Sequence, residues 1–107
     1  EQDRAVAFGM DDILLFGLVA NAKNPADYEV VGDSLQVEPY ACMLRKDDPA
    51  FKQLVDNTFK DLMKSGAFEK MYNKWFMSPI PPNNINLQIP MSDLLRELLR
   101  NPNDTGI

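Results

Sequence analysis

Two adjacent carboxylates, Asp11 and Asp12, stand between a short apolar run, Ala7-Phe8-Gly9-Met10, and a greasy segment running from Ile13 to Ala22. A carboxylate at such a corner can do two kinds of work. It can accept hydrogen bonds from the free amides that open a helix. It can also face outward and compensate a cation, such as a ligand's ammonium group, through a charge-assisted hydrogen bond. The residue types alone leave both open. Other chemistry is sparse: the chain has no histidine and one cysteine, Cys42, with no activating base nearby. No motif places a separated pair of carboxylates. The inventory therefore predicts no catalytic residue, no metal ligand and no cofactor.

The bulk numbers narrow the partners. The chain has 107 residues, 45% hydrophobic and 25% charged, within reach of a single domain with one modest core. Its formal net charge is -5 with no basic tract, which disfavours nucleic acid and anionic lipid. No apolar run approaches the roughly 20 residues needed to cross a bilayer. The chain opens Glu-Gln-Asp-Arg, with neither an initiator Met nor a basic-then-apolar signal region. A removed leader, or a longer parent chain, is expected. As a lone cysteine, Cys42 can form no internal disulfide and reads from the residues alone as a small buried thiol.

Elements that could position these groups follow from periodicity and punctuation. Arg4 to Phe8 reads as a buried strand, and the dense apolar spacing from Ile13 to Ala22 as a mostly buried helix stopped by Asn24-Pro25. Tyr28 to Val31 is β-branched and short, ended by Gly32-Asp33, and Val37 to Arg45 is extended in character, with Pro39 marking an edge or a change of partner. Asp48-Pro49 offers an N-cap and a first-turn proline. Phe51, Leu54, Val55, Thr58, Phe59, Leu62 and Met63 then recur at helical steps until Ser65-Gly66. A second helix spans Ala67 to Phe76, its Phe68, Met71, Tyr72, Trp75 and Phe76 read as packing residues. Arg45-Lys46-Asp47-Asp48 is a solvated charge run leading into the cap. Pro79-Ile80-Pro81-Pro82 favours polyproline II, residues 83–89 would lie extended over a surface, and Ser92-Asp93 caps a last helix ended by Asn101-Pro102. Strand, polar corner and helix make half of a βαβ unit, so the fold class is α/β with an incomplete sheet flanked by helices.

The order AFGMDD-ILL, VEPYACMLRKDDPAFKQLVDNTF, SGAFEKMYNKWF and SPIPPNNINLQIPMSDLLRELL resembles the periplasmic amino-acid-binding proteins of ABC transporters, in particular the C-terminal part of the branch that takes acidic amino acids. The resemblance covers essentially the whole chain, and its most specific parts are the EPY-x-C-M-L-R-K-D-D-P run and the PIPPxNxN tail. It implies a bilobal type II binding-protein fold. Residues 1–37 would then belong to the second lobe and residues 38–40 (Glu38, Pro39, Tyr40) to the returning hinge. Residues 41–78 would belong to the first lobe, and residues 79–107 would wrap its outside. It implies that Asp11 accepts a ligand's α-ammonium while Asp12 caps the helix. It further implies that Cys42 pairs with a cysteine in a preceding segment, and that the arginines holding an acidic ligand's carboxylates lie in that segment too. The ligand would be glutamate or aspartate, the partner a membrane permease, and the compartment the periplasm of a Gram-negative cell.

Two other function classes stand beside this one. An enzyme on the same scaffold is disfavoured by the missing histidine and carboxylate pair. A free-standing interaction module, docking through the leucines of the last helix, would need that face exposed. The unpaired strand edges and apolar helix faces of this chain also predict self-association.

Overall fold

The structure, a computed structural model, describes residues 5–33 and 35–105 of the chain. The chain divides into two compact units, Glu1–Asp33 and Ser34–Ile107.

In the first unit, helix α1 (Asp12–Ala20) starts where the two aspartates interrupt the extended backbone. Asp11 is its N-cap residue, with φ -51° and ψ 135°, and its carbonyl accepts the first helical bonds from Leu14 and Leu15 at 3.1 and 3.0 Å. At the other end, Asn21 donates through its backbone and its side-chain amide to the Gly17 carbonyl, at 3.2 and 2.8 Å. Pro25 opens a short 3-10 turn, Pro25–Asp27, beyond the helix. The expectation that α1 is mostly buried is overturned: none of its residues is buried, and Leu14 and Leu18 are about half exposed. The helix is apolar around its whole circumference, and nothing in its unit forms a layer over it.

The second unit is built on two helices, α2 (Pro49–Lys64) and α3 (Ala67–Phe76), which pack against each other. Asp48 caps α2 as its local chemistry dictates, its Oδ1 accepting from the Phe51 amide at 3.0 Å with Pro49 in the first turn. Arg45 lies 3.2 Å from the other oxygen of Asp48. Ser65 closes α2 and Gly66 turns the chain into α3 at φ 76°, a left-handed conformation that costs a side-chain-bearing residue energy. On α3 the rings of Tyr72 and Phe76 stand 4.6 Å apart. Trp75 departs from its expected packing role: it is 46% exposed, with the Lys74 ammonium 5.2 Å from its ring.

After Ser78 the chain folds back over this pair. Ile80 and Ile85 form an isolated antiparallel bridge around turns at residues 81–84. Asn84 and Gln88 take positive φ, so residues 83–89 are bent rather than one extended run. The segment is fastened to α3 by three bonds. Asn86 donates to the Met77 carbonyl at 3.1 Å, Ile89 to the Phe76 carbonyl at 3.1 Å, and the Tyr72 hydroxyl to the Pro90 carbonyl at 3.5 Å. Met91, 7% exposed, is the buried apolar residue of the described chain. Helix α4 (Asp93–Arg100), capped by the Ser92 hydroxyl on the Leu95 amide at 3.2 Å, then packs on α2. Leu95, Leu98 and Leu99 are half-buried there, and Leu94 is exposed.

The expected sheet does not form among the described residues. Residues 5–8, 28–31 and 37–45 belong to no strand (Arg4 lies outside the described residues), and Val6, Val31, Tyr40 and Met43 are exposed. A parallel strand is held by ladder bonds to strands on both sides, and no described segment supplies them. β-propensity without a partner leaves only an irregular chain.

Candidate ligand-binding site

The Asp11–Asp12 corner is built by the start of α1. Asp12 occupies the first helical position, and its Oδ1 accepts from the Ile13 amide at 2.6 Å. Its carboxylate is thereby engaged with the helix and sits at the positive end of the helix dipole. Asp11, one residue earlier, contributes its carbonyl to the helix, but its carboxylate makes no capping bond to a first-turn amide. Both aspartates are exposed. The pair is therefore chemically divided: one carboxylate serves the helix opening, and the other is not used in capping. A carboxylate in that position can compensate an ammonium ion, and the adjacent helix opening keeps its negative charge favourable.

The remaining residues singled out from the sequence lie in the second unit. Glu38, Pro39 and Tyr40 are exposed and belong to no strand. Cys42 is a free, exposed thiol, which corrects the reading of it as a small buried one. It lines a shallow depression together with Arg45, Asp48 and Lys52. The backbone around it lacks the ladder that would cover a side chain, and exposure follows. Among the described residues no group of His, Cys, Asp and Glu could hold a metal ion. Among the described residues no helix is long and apolar enough to cross a membrane.

Recognition of an acidic amino acid needs cations as well as a carboxylate, and arginine forks suit that task. The described part of the first unit contains no arginine. In the second unit Arg45 pairs with Asp48, and Arg100 lies 3.5 Å from Glu97. Sequence reasoning missed two relationships. Lys52 holds both Asp56 and Asp104 at 2.6 Å, and a pairing across 52 positions leaves no local signal. Arg96 and Arg100 both line a cleft against α2; their four-residue spacing on one helix was the available clue.

Residues 3–78 match the family model of bacterial extracellular solute-binding proteins, family 3. The chain belongs to that family. As a family-3 chain it is similar to the glutamate/aspartate import solute-binding protein of Escherichia coli (strain K12), at 50% identity over all 107 residues. It is 49% identical over the same length to the protein of that name from Salmonella typhimurium. It is also 50% identical, over 104 residues, to the L-glutamate/L-aspartate-binding protein of Pseudomonas aeruginosa. The chain spans 35% of the length of the first two relatives and 34% of the third. Family 3 implies a type II periplasmic-binding fold, a coarser statement than the incomplete sheet expected above. The family match stops at residue 78, so residues 79–107, including α4, lie outside the family-wide region although the first two relatives match throughout.

Proposed function

We propose that this chain is part of a solute receptor that captures an acidic amino acid, glutamate or aspartate, and presents it to the membrane permease of an ABC importer. The observation that carries the reading is the 50% identity to a glutamate/aspartate import protein over the full 107 residues. In this reading residues 1–37 contribute to one lobe, residues 41–78 to the other, and Glu38, Pro39 and Tyr40 form the crossing between them. Residues 79–107 wrap the outer side of the lobe that contains α2 and α3. The packing of α4 on α2 supports that arrangement and disfavours a free-standing module docking through α4.

Asp11 receives the ligand's α-ammonium. The support is its exposed place at the mouth of α1, where a carboxylate can meet a cation. In this reading the arginines that hold the ligand's two carboxylates lie in the part of the longer relatives that this chain does not span. Cys42 forms a disulfide in the periplasm with a cysteine beyond this chain, and its exposed thiol is compatible with that bond. Ligand contacts to both lobes favour the closed state, so capture is a hinge closure. Taken alone, the 107-residue chain self-associates, because Leu14, Leu18, Phe51, Leu54 and Met43 are left exposed.

Calorimetry on the full-length protein with glutamate, aspartate, glutamine and histidine tests the reading. Glutamate and aspartate should bind most tightly. Asp11→Ala should weaken them by about ten- to a hundredfold, the equivalent of one charge-assisted hydrogen bond. Unchanged affinity in that variant removes Asp11 from the site. A preference for glutamine or histidine rejects the acidic ligand.

A further inference from the structure

The fold-back of residues 79–107 creates a cleft of about 380 Å³ between the end of α2, the start of α3 and α4. Its apolar lining is Met63, Met91 and Leu99, and its rim carries Lys64, Arg96 and Arg100. One carboxylate, Glu69, also lines it and pairs with none of the three. Glu97 lies 3.5 Å from Arg100, on an exposed and weakly held contact. Lys64 and Arg96 form no ion pair among the described residues. Three cations against one lining carboxylate run counter to a chain whose net charge is -5.

The helix termini explain part of this pattern. Lys64 and Arg100 occupy the last turns of α2 and α4, where a cation meets the negative end of the dipole. Arg96 has no such reason. It sits four residues before Arg100 on the same face, and like charges at that spacing weaken a helix of eight residues. An apolar floor under a cationic rim that is only partly neutralised is complementary to an anionic group attached to an apolar one.

We propose that this cleft is a docking surface for an acidic segment of a partner protein, one that inserts an apolar side chain between Met63, Met91 and Leu99 while its carboxylates meet Lys64, Arg96 and Arg100. Charge selects a protein segment with this sign. The apolar floor selects one that carries a leucine-like side chain. Because α4 and Met91 lie beyond residues 3–78, the surface is built partly outside the region that the family model matches. The inference does not rest on amino-acid capture, since none of these residues has a role in it.

Fluorescence anisotropy on the full-length protein tests it, using a labelled peptide of glutamates flanking a central leucine and a counterpart with lysines. The acidic peptide should bind and the basic one should not, with affinity falling as salt rises. The double variant Lys64→Gln, Arg96→Gln should weaken binding at least about tenfold while glutamate binding measured by calorimetry stays unchanged. Arg100→Gln, checked by circular dichroism for an intact fold, should weaken it as well. Equal binding of the two peptides, no binding, or binding insensitive to these variants overturns the proposal. So does self-association of the protein, or sedimentation with phosphatidylserine vesicles, that the double variant abolishes. Those results assign the cleft to a second copy or to a lipid surface.

Discussion

The Lys52 ammonium lies 2.6 Å from a carboxylate oxygen of Asp104, joining the beginning of α2 to the end of the chain. The same ammonium holds Asp56 one turn along α2, also at 2.6 Å. A single cation thus pins the returning segment to the helix it covers. The side chains are exposed, so the pin orders the tail more than it stabilises the fold.

This pair sets a pH window for tail attachment. The hydrogen bond from Lys52 holds the Asp104 carboxyl below its usual 3.8, and the hydrogen bond to Asp104 holds the Lys52 ammonium above its usual 10.5. A lowered carboxyl contributes above its unfolded value and loses that contribution as pH falls through the folded one. A raised amine contributes below its unfolded value and loses that contribution as pH rises through the folded one. Attachment should therefore be constant across neutral pH. Asp104→Asn should speed amide exchange at residues 101–105 and leave the melting temperature within error. Added salt should do the same to the unmodified chain. Exchange rates identical in both chains would show that the bond does not order the tail.

Ser92 and Asp48 each satisfy a free amide at a helix opening, on Leu95 and Phe51. Replacing either with alanine should cost about 0.5–2 kcal/mol of stability, read from urea denaturation. Helix α4 has only eight residues and should lose more of its helical signal than the longer α2 does.

Gly66 connects α2 to α3 at φ 76°, and a Cβ built there meets nothing within 4 Å. Any cost of Gly66→Ala is then backbone strain alone, about 1–2 kcal/mol. Gly66→Asn should recover part of it, since asparagine tolerates this conformation better. Equal losses in the two variants would rule out strain as the cause.

Met91 is the buried contact that the tail makes with the helix pair. Met91→Ala should destabilise the unit by about 2 kcal/mol, the low end for a buried methionine, because the adjoining cleft is open. A shift in the urea midpoint checks the size. Loss of protection in α4 with α3 retained would place the effect at the tail.

At the aspartate corner the two neighbours should separate. Asp12→Ala should reduce helix α1, since its carboxylate accepts the Ile13 amide. Asp11→Ala should reduce it less, having no capping bond to lose. Exchange of the α1 amides distinguishes them, and a larger loss for Asp11→Ala would make that residue the structural one.

Local chemistry alone was enough for the helices. The Asp48-Pro49 opening, the Ser65-Gly66 stop, the Ala67 to Phe76 span and the Ser92-Asp93 cap each place their element within a residue of where it lies. Those signals act over one turn of chain, so the sequence carries them whatever surrounds them. Which of Asp11 and Asp12 serves the helix was not legible in the residue types, and only the structure shows the Asp12 carboxylate accepting the Ile13 amide. Strands need partners distant in the chain. Tyr28 to Val31 and Val37 to Arg45 have the composition of strands but form none here, because a ladder depends on a second segment and not on propensity. Burial was misjudged for α1, Trp75 and Cys42 on the same ground: apolarity is a property of a residue, whereas cover is supplied by its neighbours. Only the tertiary structure brought Lys52 to Asp104 and set Lys64, Arg96 and Met91 around one cleft. Those contacts are made by the fold-back of residues 79–107, and no pattern of spacing along a chain encodes which faces a returning segment will meet.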